Sequence, residues 1–188
     1  MPGVRVIVGL GNPGARYAQT RHNAGFMLLD ALAEGASWKS WPGKLGDYLV
    51  MPDFILAKPL TYMNESGRFA AALSRFYKVP PSELLVCFDD MSILLGQIRI
   101  REEGSSGGHN GMRSIAEELK TDKIPRLRLG IGPRPQMIDG ASFVLGTFTK
   151  EERPVLEQMI STAKEAVLFA VQERDIPRAM SRYNARGD

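Results

Sequence analysis

Val4-Arg5-Val6-Ile7-Val8-Gly9-Leu10-Gly11-Asn12-Pro13-Gly14 is an apolar run that stops in a glycine-rich turn. Val4 to Val8 is short and rich in β-branched residues, and reads as a buried strand. The turn after it has the G-x-G-x-x-G spacing of a dinucleotide site. Two features argue against that use. A dinucleotide turn opens a helix at its glycines, so that backbone amides face pyrophosphate. Here Pro13 biases Asn12 away from helix, and Ala15 to His22 has no apolar face. The acid expected about twenty residues on is also misplaced, because Glu34 lies within a helical pattern rather than at a second strand's end. The glycines therefore read as a tight turn. It presents Asn12 at the carboxyl end of a strand, where α/β sheets place their sites.

Outward from this strand, apolar runs and helical patterns alternate. Phe26 to Ala36 reads as a helix. Tyr48 to Met51 and Phe54 to Ala57 read as short strands joined at Pro52-Asp53. Phe69, Leu73, Phe76 and Tyr77 form one helical face. Leu84 to Phe88 is a strand ending in two carboxylates, and Gln97 to Arg101 alternates as a half-buried strand does. Met112, Ile115, Ala116 and Leu119 form another helical face, and Arg126 to Ile131 alternates Arg with Leu. The last helix runs from about Lys150 to Gln172, with Thr149 and Glu152 spaced as a capping box; Pro154 requires it to begin a few residues after Lys150. This order predicts an α/β three-layer sandwich: one mixed, twisted sheet with helices on both faces. Residues 1–188 read as a single domain, with no internal repeat and no linker. Pro133 to Gly146 lacks a clear period and reads as a mobile loop or lid over a site.

The chain has 188 residues, of which 44% are hydrophobic and 24% charged. That composition excludes collagen-like and disordered classes. One cysteine excludes an internal disulfide; Cys87, inside an apolar strand, reads as a buried thiol. No stretch approaches the ~20 apolar residues of a membrane span. The N-terminus has no signal-peptide pattern, so a cytoplasmic protein is expected. The net charge is +3, weak evidence for an anionic partner by itself. The basic residues between 97 and 134 include Arg99, Arg101, Arg126 and Arg128; interleaved with acids, they read as a solvated face. Arg174, Arg178, Arg182 and Arg186 are spaced four apart and would form a basic stripe on a helix.

There are only two histidines. His22-Asn23-Ala24-Gly25 ends a polar loop before an apolar helix, and His22 there is suited to general-base chemistry near neutral pH. His109 lies in Gly107-Gly108-His109-Asn110-Gly111. A base needs an orienting partner; Asp89 and Asp90 are candidates, with a pair of solvated turn carboxylates as the plain alternative. Asn12, Asn64 and Asn110 fall at strand-to-helix junctions. They are read as a polar cleft floor able to hold an amide or polarise an ester carbonyl, with helix capping the alternative for Asn64 and Asn110. There is no G-x-S-x-G, H-E-x-x-H or Walker A pattern, and two histidines with one cysteine argue against a zinc site. A general base without a protein nucleophile points to direct attack by water: a metal-free hydrolase of an ester or amide.

These residues match a family. Gly9-Leu10-Gly11-Asn12-Pro13-Gly14-x-x-Tyr17-x-x-Thr20-Arg21-His22-Asn23-x-Gly25 resembles the opening motif of bacterial peptidyl-tRNA hydrolase. Lys58-Pro59-x-Thr61-Tyr62-Met63-Asn64-x-Ser66-Gly67 resembles its second motif, and Gly104-Ser105-Ser106-Gly107-Gly108-His109-Asn110-Gly111 its third. Arg126 to Gly132 and Val144-Leu145-Gly146 extend the likeness in order. The resemblance implies hydrolysis of the ester joining a peptide to the 3′ end of tRNA, which recycles tRNA during translation. It implies that His22 is the catalytic base, that Asp89 orients it, and that Asn12 distinguishes N-blocked from free aminoacyl substrate. A free α-amine is largely cationic below its pKa of about 7.7–8.0, whereas a peptide amide is neutral. The resemblance further implies substrate contacts at Tyr17, Tyr62, Asn64 and Asn110, a wall beside the peptide at Met63, and a tRNA 5′-phosphate site at Arg101 and Arg128. A cofactor-free monomer is implied. The family often has His-Asp-Asp/Glu-Leu-Asp-Leu-Pro where this chain has Phe88-Asp89-Asp90-Met91-Ser92-Ile93-Leu94; Asp89 is retained, and Phe88 and Ser92 depart. The alternative from another class is a non-catalytic RNA-binding protein on the same scaffold, as plant organelle splicing factors resemble this family too.

Overall fold

In the computed structural model, residues 3–184 are described. They form one seven-stranded mixed sheet with helices on both faces, the sandwich expected. The strands are β1 (Val6–Gly9), β2 (Lys39–Ser40), β3 (Gly46–Val50), β4 (Ile55–Pro59), β5 (Leu84–Leu94), β6 (Ile98–Arg101) and β7 (Arg126–Gly132). The helices are α1 (Ala24–Ala33), α2 (Ser66–Tyr77), α3 (Asn110–Leu119), α4 (Gly140–Leu145), α5 (Arg153–Glu173) and α6 (Ile176–Tyr183). The sheet order is β2-β3-β4-β1-β5-β7-β6. The inner strands β4, β1, β5 and β7 run parallel, and antiparallel strands extend both edges.

Each face of the sheet has its own core. Alternate strand residues Ile7, Leu56, Leu85, Leu127 and Leu129 meet α1, α5 and α6. Val6, Val8, Ala57, Val86 and Phe88 meet α2 and α3 on the opposite face. The period-2 alternation of the strands makes this division. The chain leaves β1 toward β4 on one side and returns to β5 on the other, so β1 is the switch point at which an open α/β sheet opens a crevice. At its carboxyl end α1 lies very close. A Cβ on Gly25 would meet the Cys87 carbonyl oxygen at 2.5 Å, and one on Gly9 would meet the Gly25 carbonyl at the same distance. The two glycines thus let the start of α1 rest on the strand ends.

Several expectations change in detail. Pro133 to Gly146 is not wholly irregular, because α4 lies within it, capped by Asp139, whose Oδ1 accepts from the Ser142 N–H at 2.9 Å. Phe69 and Leu73 are fully buried, but Phe76 is 69% exposed and its ring lies edge-on to Trp41. Asp89 and Asp90 lie within β5, which continues past the end of β1 to Leu94. Thr149 and Glu152 form the reciprocal capping box, with hydrogen bonds of 2.8 and 3.3 Å, and α5 begins one residue before Pro154. The basic stripe is interrupted: Arg174 takes a left-handed conformation as the C-cap of α5, Arg178 and Arg182 lie on α6, and Arg186 lies outside the described residues.

Candidate active site

A pocket of about 220 Å³ opens beyond the carboxyl ends of the parallel strands, lined by His22, Asp89, Asp90, Met91, Gly107, Gly108, His109, Asn110, Gly140, Ala141 and Val144. His22 comes from a 3₁₀ turn, Arg21–Asn23, that leads into α1. Its Nδ1 lies 2.8 and 3.0 Å from the two oxygens of Asp89, which comes from β5, 67 residues away in sequence. The Asp89 side chain is 2% exposed. Burial works against its charge, but the two imidazoles, His109 ahead of His22, outweigh that and hold the carboxyl well below the usual range. As a carboxylate it can only accept, so His22 carries its proton on Nδ1 and keeps its Nε2 lone pair.

Asn12 is fixed on three sides. Its main-chain N–H donates to Asn23 Oδ1 at 2.9 Å, and its carbonyl accepts from Asn23 Nδ2 at 3.0 Å. Its own Oδ1 accepts from the Met63 N–H at 2.9 Å, across 51 residues. An amide hydrogen demands an oxygen there, so the group Asn12 leaves free is the Nδ2 donor. Met63 and Asn64 lie in a 3₁₀ turn, Met63–Glu65, before α2. Glu65, not Asn64, holds the N-cap position, so the capping alternative for Asn64 fails by one residue. Asn110 is the first residue of α3; His109 is its cap, and Asn110 Oδ1 accepts from Arg113 at 2.7 Å.

The fold thus gathers His22, Asp89 and Asn110 around one pocket, with Asn12 and Met63 tied together beside it. A Cβ on Gly111 would meet Met63 Sδ at 2.5 Å and His109 Cε1 at 3.3 Å, so Met63 borders the same end of α3. Tyr17, Tyr62, Asn64, Arg101 and Arg128 do not line the pocket. Tyr62 is 56% exposed. Tyr17 is half-buried beneath Arg16, with its carbonyl accepting from the Thr20 hydroxyl. Arg99 pairs with Arg128 and Arg101 with Arg126 across β6 and β7, which places all four on one sheet face. Arg128 is held by Asp90, Nε to Oδ2, at 2.6 Å.

Four residues matter here to which sequence reasoning assigned no role at the site. His109 Nε2 lies 2.9 Å from Asp89 Oδ1. Asn23 clamps Asn12, as above. Arg126 is 2% exposed, not part of a solvated face; its guanidinium donates to the carbonyls of Ile124, Asp122 and Ser105 and so ties the glycine-rich loop to β7. Arg21 lies between the rings of Phe143 and Phe148 and pairs with Glu152 at 2.7 Å, fixing α4 against the His22 turn. None carries a local signal, since each acts through a partner at least 11 residues away. His22, Asp89 and His109 also place nitrogen and oxygen donors within 4.8 Å of one another, a set able to ligate a metal that residue counting did not anticipate. Their mutual hydrogen bonds occupy the same lone pairs and protons, so a metal there would have to displace them.

The family model for peptidyl-tRNA hydrolase matches residues 6–188. The chain belongs to the peptidyl-tRNA hydrolase family. A peptidyl-tRNA hydrolase of Elusimicrobium minutum is 49% identical over 187 residues, covering 96% of this chain and 99% of that one. One of Thermotoga petrophila is 45% identical, with 96% and 97% covered. A crystal structure of peptidyl-tRNA hydrolase from Acinetobacter baumannii matches with a TM-score of 0.89 at 38% identity, covering 98% of this chain and 96% of that one. Against the usual family pattern, two peptidyl-tRNA hydrolase positions differ here and both have local partners. The Phe88 ring lies 4.7 Å from that of His109, and the Ser92 hydroxyl donates to Asp90 Oδ1 at 2.6 Å.

Proposed function

We propose that the chain hydrolyses the ester between a peptide, or an N-blocked amino acid, and the 3′ end of tRNA, with His22 as the general base. His22 Nε2 takes a proton from a water that attacks the ester carbonyl. Asp89 fixes the tautomer and stabilises the imidazolium that forms. Asn12 directs its free Nδ2–H at a substrate carbonyl, an arrangement that favours a neutral peptide amide over a cationic amine. Tyr17, Tyr62, Asn64 and Asn110 contact substrate, Met63 flanks the peptide, and Arg101 with Arg128 receives the tRNA 5′-phosphate; such contacts position nucleic acid without reading sequence. The carrying observation is the contact of His22 Nδ1 with both Asp89 oxygens inside a pocket at the sheet's switch point. That pair also disfavours the RNA-binding alternative, which has no need of an oriented base. The reading takes residues 1–188 as one domain, working as a cytoplasmic monomer without cofactor; among the described residues no helix is long and apolar enough to cross a membrane.

The test is hydrolysis of N-acetyl-aminoacyl-tRNA beside its free-amine counterpart, by the protein and by His22→Ala. The N-acetyl substrate should be strongly preferred, and His22→Ala should lower turnover by about 10²–10⁴. Near-normal turnover by that variant would refute the assignment of the base.

A further inference from the structure

We propose that His109 is a positioning residue for this reaction, bonded to α3 through one ring nitrogen while the other holds the Asp89 carboxylate square to His22. The inference rests on the reading of His22 as the base. His109 is the N-cap of α3, and its Nδ1 accepts from the Met112 N–H at 3.3 Å. A backbone donor requires a lone pair, so the His109 proton resides on Nε2. From there it donates to Asp89 Oδ1 at 2.9 Å. The same oxygen accepts from His22 Nδ1 at 2.8 Å, and the second Asp89 oxygen lies 3.0 Å from that nitrogen. Rotating the carboxylate would sacrifice one of these bonds, so His109 removes the rotational freedom Asp89 would have with a single partner.

The surroundings keep the two histidines in different roles. The His109 side chain is 8% exposed, and its ring packs on Phe88 and, at 5.0 Å between centroids, beside His22. Phe88 stands where the family often has histidine, so here the surface beneath His109 is apolar and brings no further titratable group. A second proton on His109 would have to enter at Nδ1, against the Met112 N–H, and would abolish the cap. The groups facing His22 are Asp89 from β5 and His109 from the start of α3. Asp90 lines the same pocket, paired with Arg128. The α4 wall contributes Gly140, Ala141 and Val144, none titratable, and Arg21 turns its guanidinium away to Glu152. His109 therefore has both ring nitrogens engaged, whereas His22 is bonded through Nδ1 and keeps Nε2 for the water.

Two substitutions separate the two bonds. His109→Asn keeps the cap, since asparagine is among the best N-caps, but its side chain is too short to reach Asp89. His109→Gln reaches Asp89 with an N–H donor but is a poor cap. Hydrolysis of N-acetyl-aminoacyl-tRNA and thermal melting are measured for both, beside His22→Ala. His109→Asn should melt near the unsubstituted protein yet lose about 10- to 100-fold in kcat, the cost of one charge-assisted hydrogen bond, with little change in KM. His109→Gln should melt lower and recover most of that kcat. A purely structural residue would instead move rate and melting together. Imidazole ¹⁵N shifts should report His109 protonated on Nε2 alone. Unchanged kcat in His109→Asn with His22→Ala inactive, no recovery in His109→Gln, or the opposite His109 tautomer overturns this proposal and spares the base. Full activity in His22→Ala overturns both.

Discussion

Asp89→Asn changes almost no volume and reverses one half of a carboxylate from acceptor to donor. In the native site Oδ1 accepts from both rings, at 2.8 Å from His22 and 2.9 Å from His109, and Oδ2 lies 3.0 Å from the same His22 nitrogen. The amide has one oxygen and one NH₂. The bond from the Met112 N–H to His109 Nδ1 fixes the His109 tautomer, so the amide oxygen must face His109. The NH₂ then takes the Oδ2 place, 3.0 Å from His22 Nδ1, and a donor set against that nitrogen favours the His22 tautomer with its proton on Nε2, on the substrate side. Restoring the productive tautomer means breaking a buried hydrogen bond, about 1–3 kcal/mol. The imidazolium of the transition state also loses its carboxylate. Unit charges 4 Å apart at an effective dielectric of 20 interact by about 4 kcal/mol, of which partial charge development leaves roughly 2–3. Together these raise the barrier by about 3–6 kcal/mol, or about 10²–10⁴ in kcat. KM should barely move, because the Asp89 side chain is 2% exposed. The assay is steady-state hydrolysis of N-acetyl-aminoacyl-tRNA, with circular dichroism to establish that the variant is folded. A folded Asp89→Asn protein within fivefold of native kcat would refute the tautomer argument.

Two further outcomes follow from charge. The Asp89 carboxyl is lowered on folding, so its stabilising contribution is complete above the unfolded value of about 3.9 and is lost as pH falls below it toward the folded value; melting temperature should drop less steeply below pH 4 in Asp89→Asn than in the native protein, and identical acid limbs would contradict this. Arg101 is exposed on the face shared with Arg128, so Arg101→Ala should weaken tRNA binding and lower the magnitude of the log–log salt slope by about 1, as read by filter binding across a salt series, and an unchanged slope would remove Arg101 from the phosphate site.

What the sequence reveals depends on whether a residue's partners are local. β1 and β5 are legible because parallel strands buried on both faces are near-continuous apolar runs, and Val6 to Val8 and Leu84 to Phe88 are such runs. The capping box at Thr149 is legible because both partners lie within three residues. β2, two residues long, and α4, six residues within a proline- and glycine-rich segment, carry too few positions to show a period. Arg126 reads as solvated because a charge in an alternating strand gives no sign that the turn just before it, at Asp122 and Ile124, and the distant Ser105 will surround its guanidinium with carbonyls. Asp89 and Asp90 could both be offered to His22 by chemistry, and only the resemblance chose between them. His109 could not be matched, since histidine is an unusual cap and its cap bond does not reveal where the other nitrogen points.

The polar side chains in and beside this pocket share one property: each is bonded to the main chain or to another fixed group. Asn12 is spanned by Asn23 and bonded to the Met63 N–H, so its free donor direction is set by the distance between β1 and the turn before α2. His109 is bonded to Met112, so the direction of its Nε2–H is set by the axis of α3. Asp89 lies within β5, in register with Leu129 of β7, so its height above the sheet is set by strand pairing. These geometries are determined by elements whose cores lie on opposite faces of the sheet. A reaction in which water must be aligned between an imidazole and an ester carbonyl gains from such fixity, because little reorganisation remains when charge develops. Substitutions that preserve the backbone bond while removing the pocket-facing one should therefore alter rate without altering the fold, and the reverse substitutions should alter the fold first.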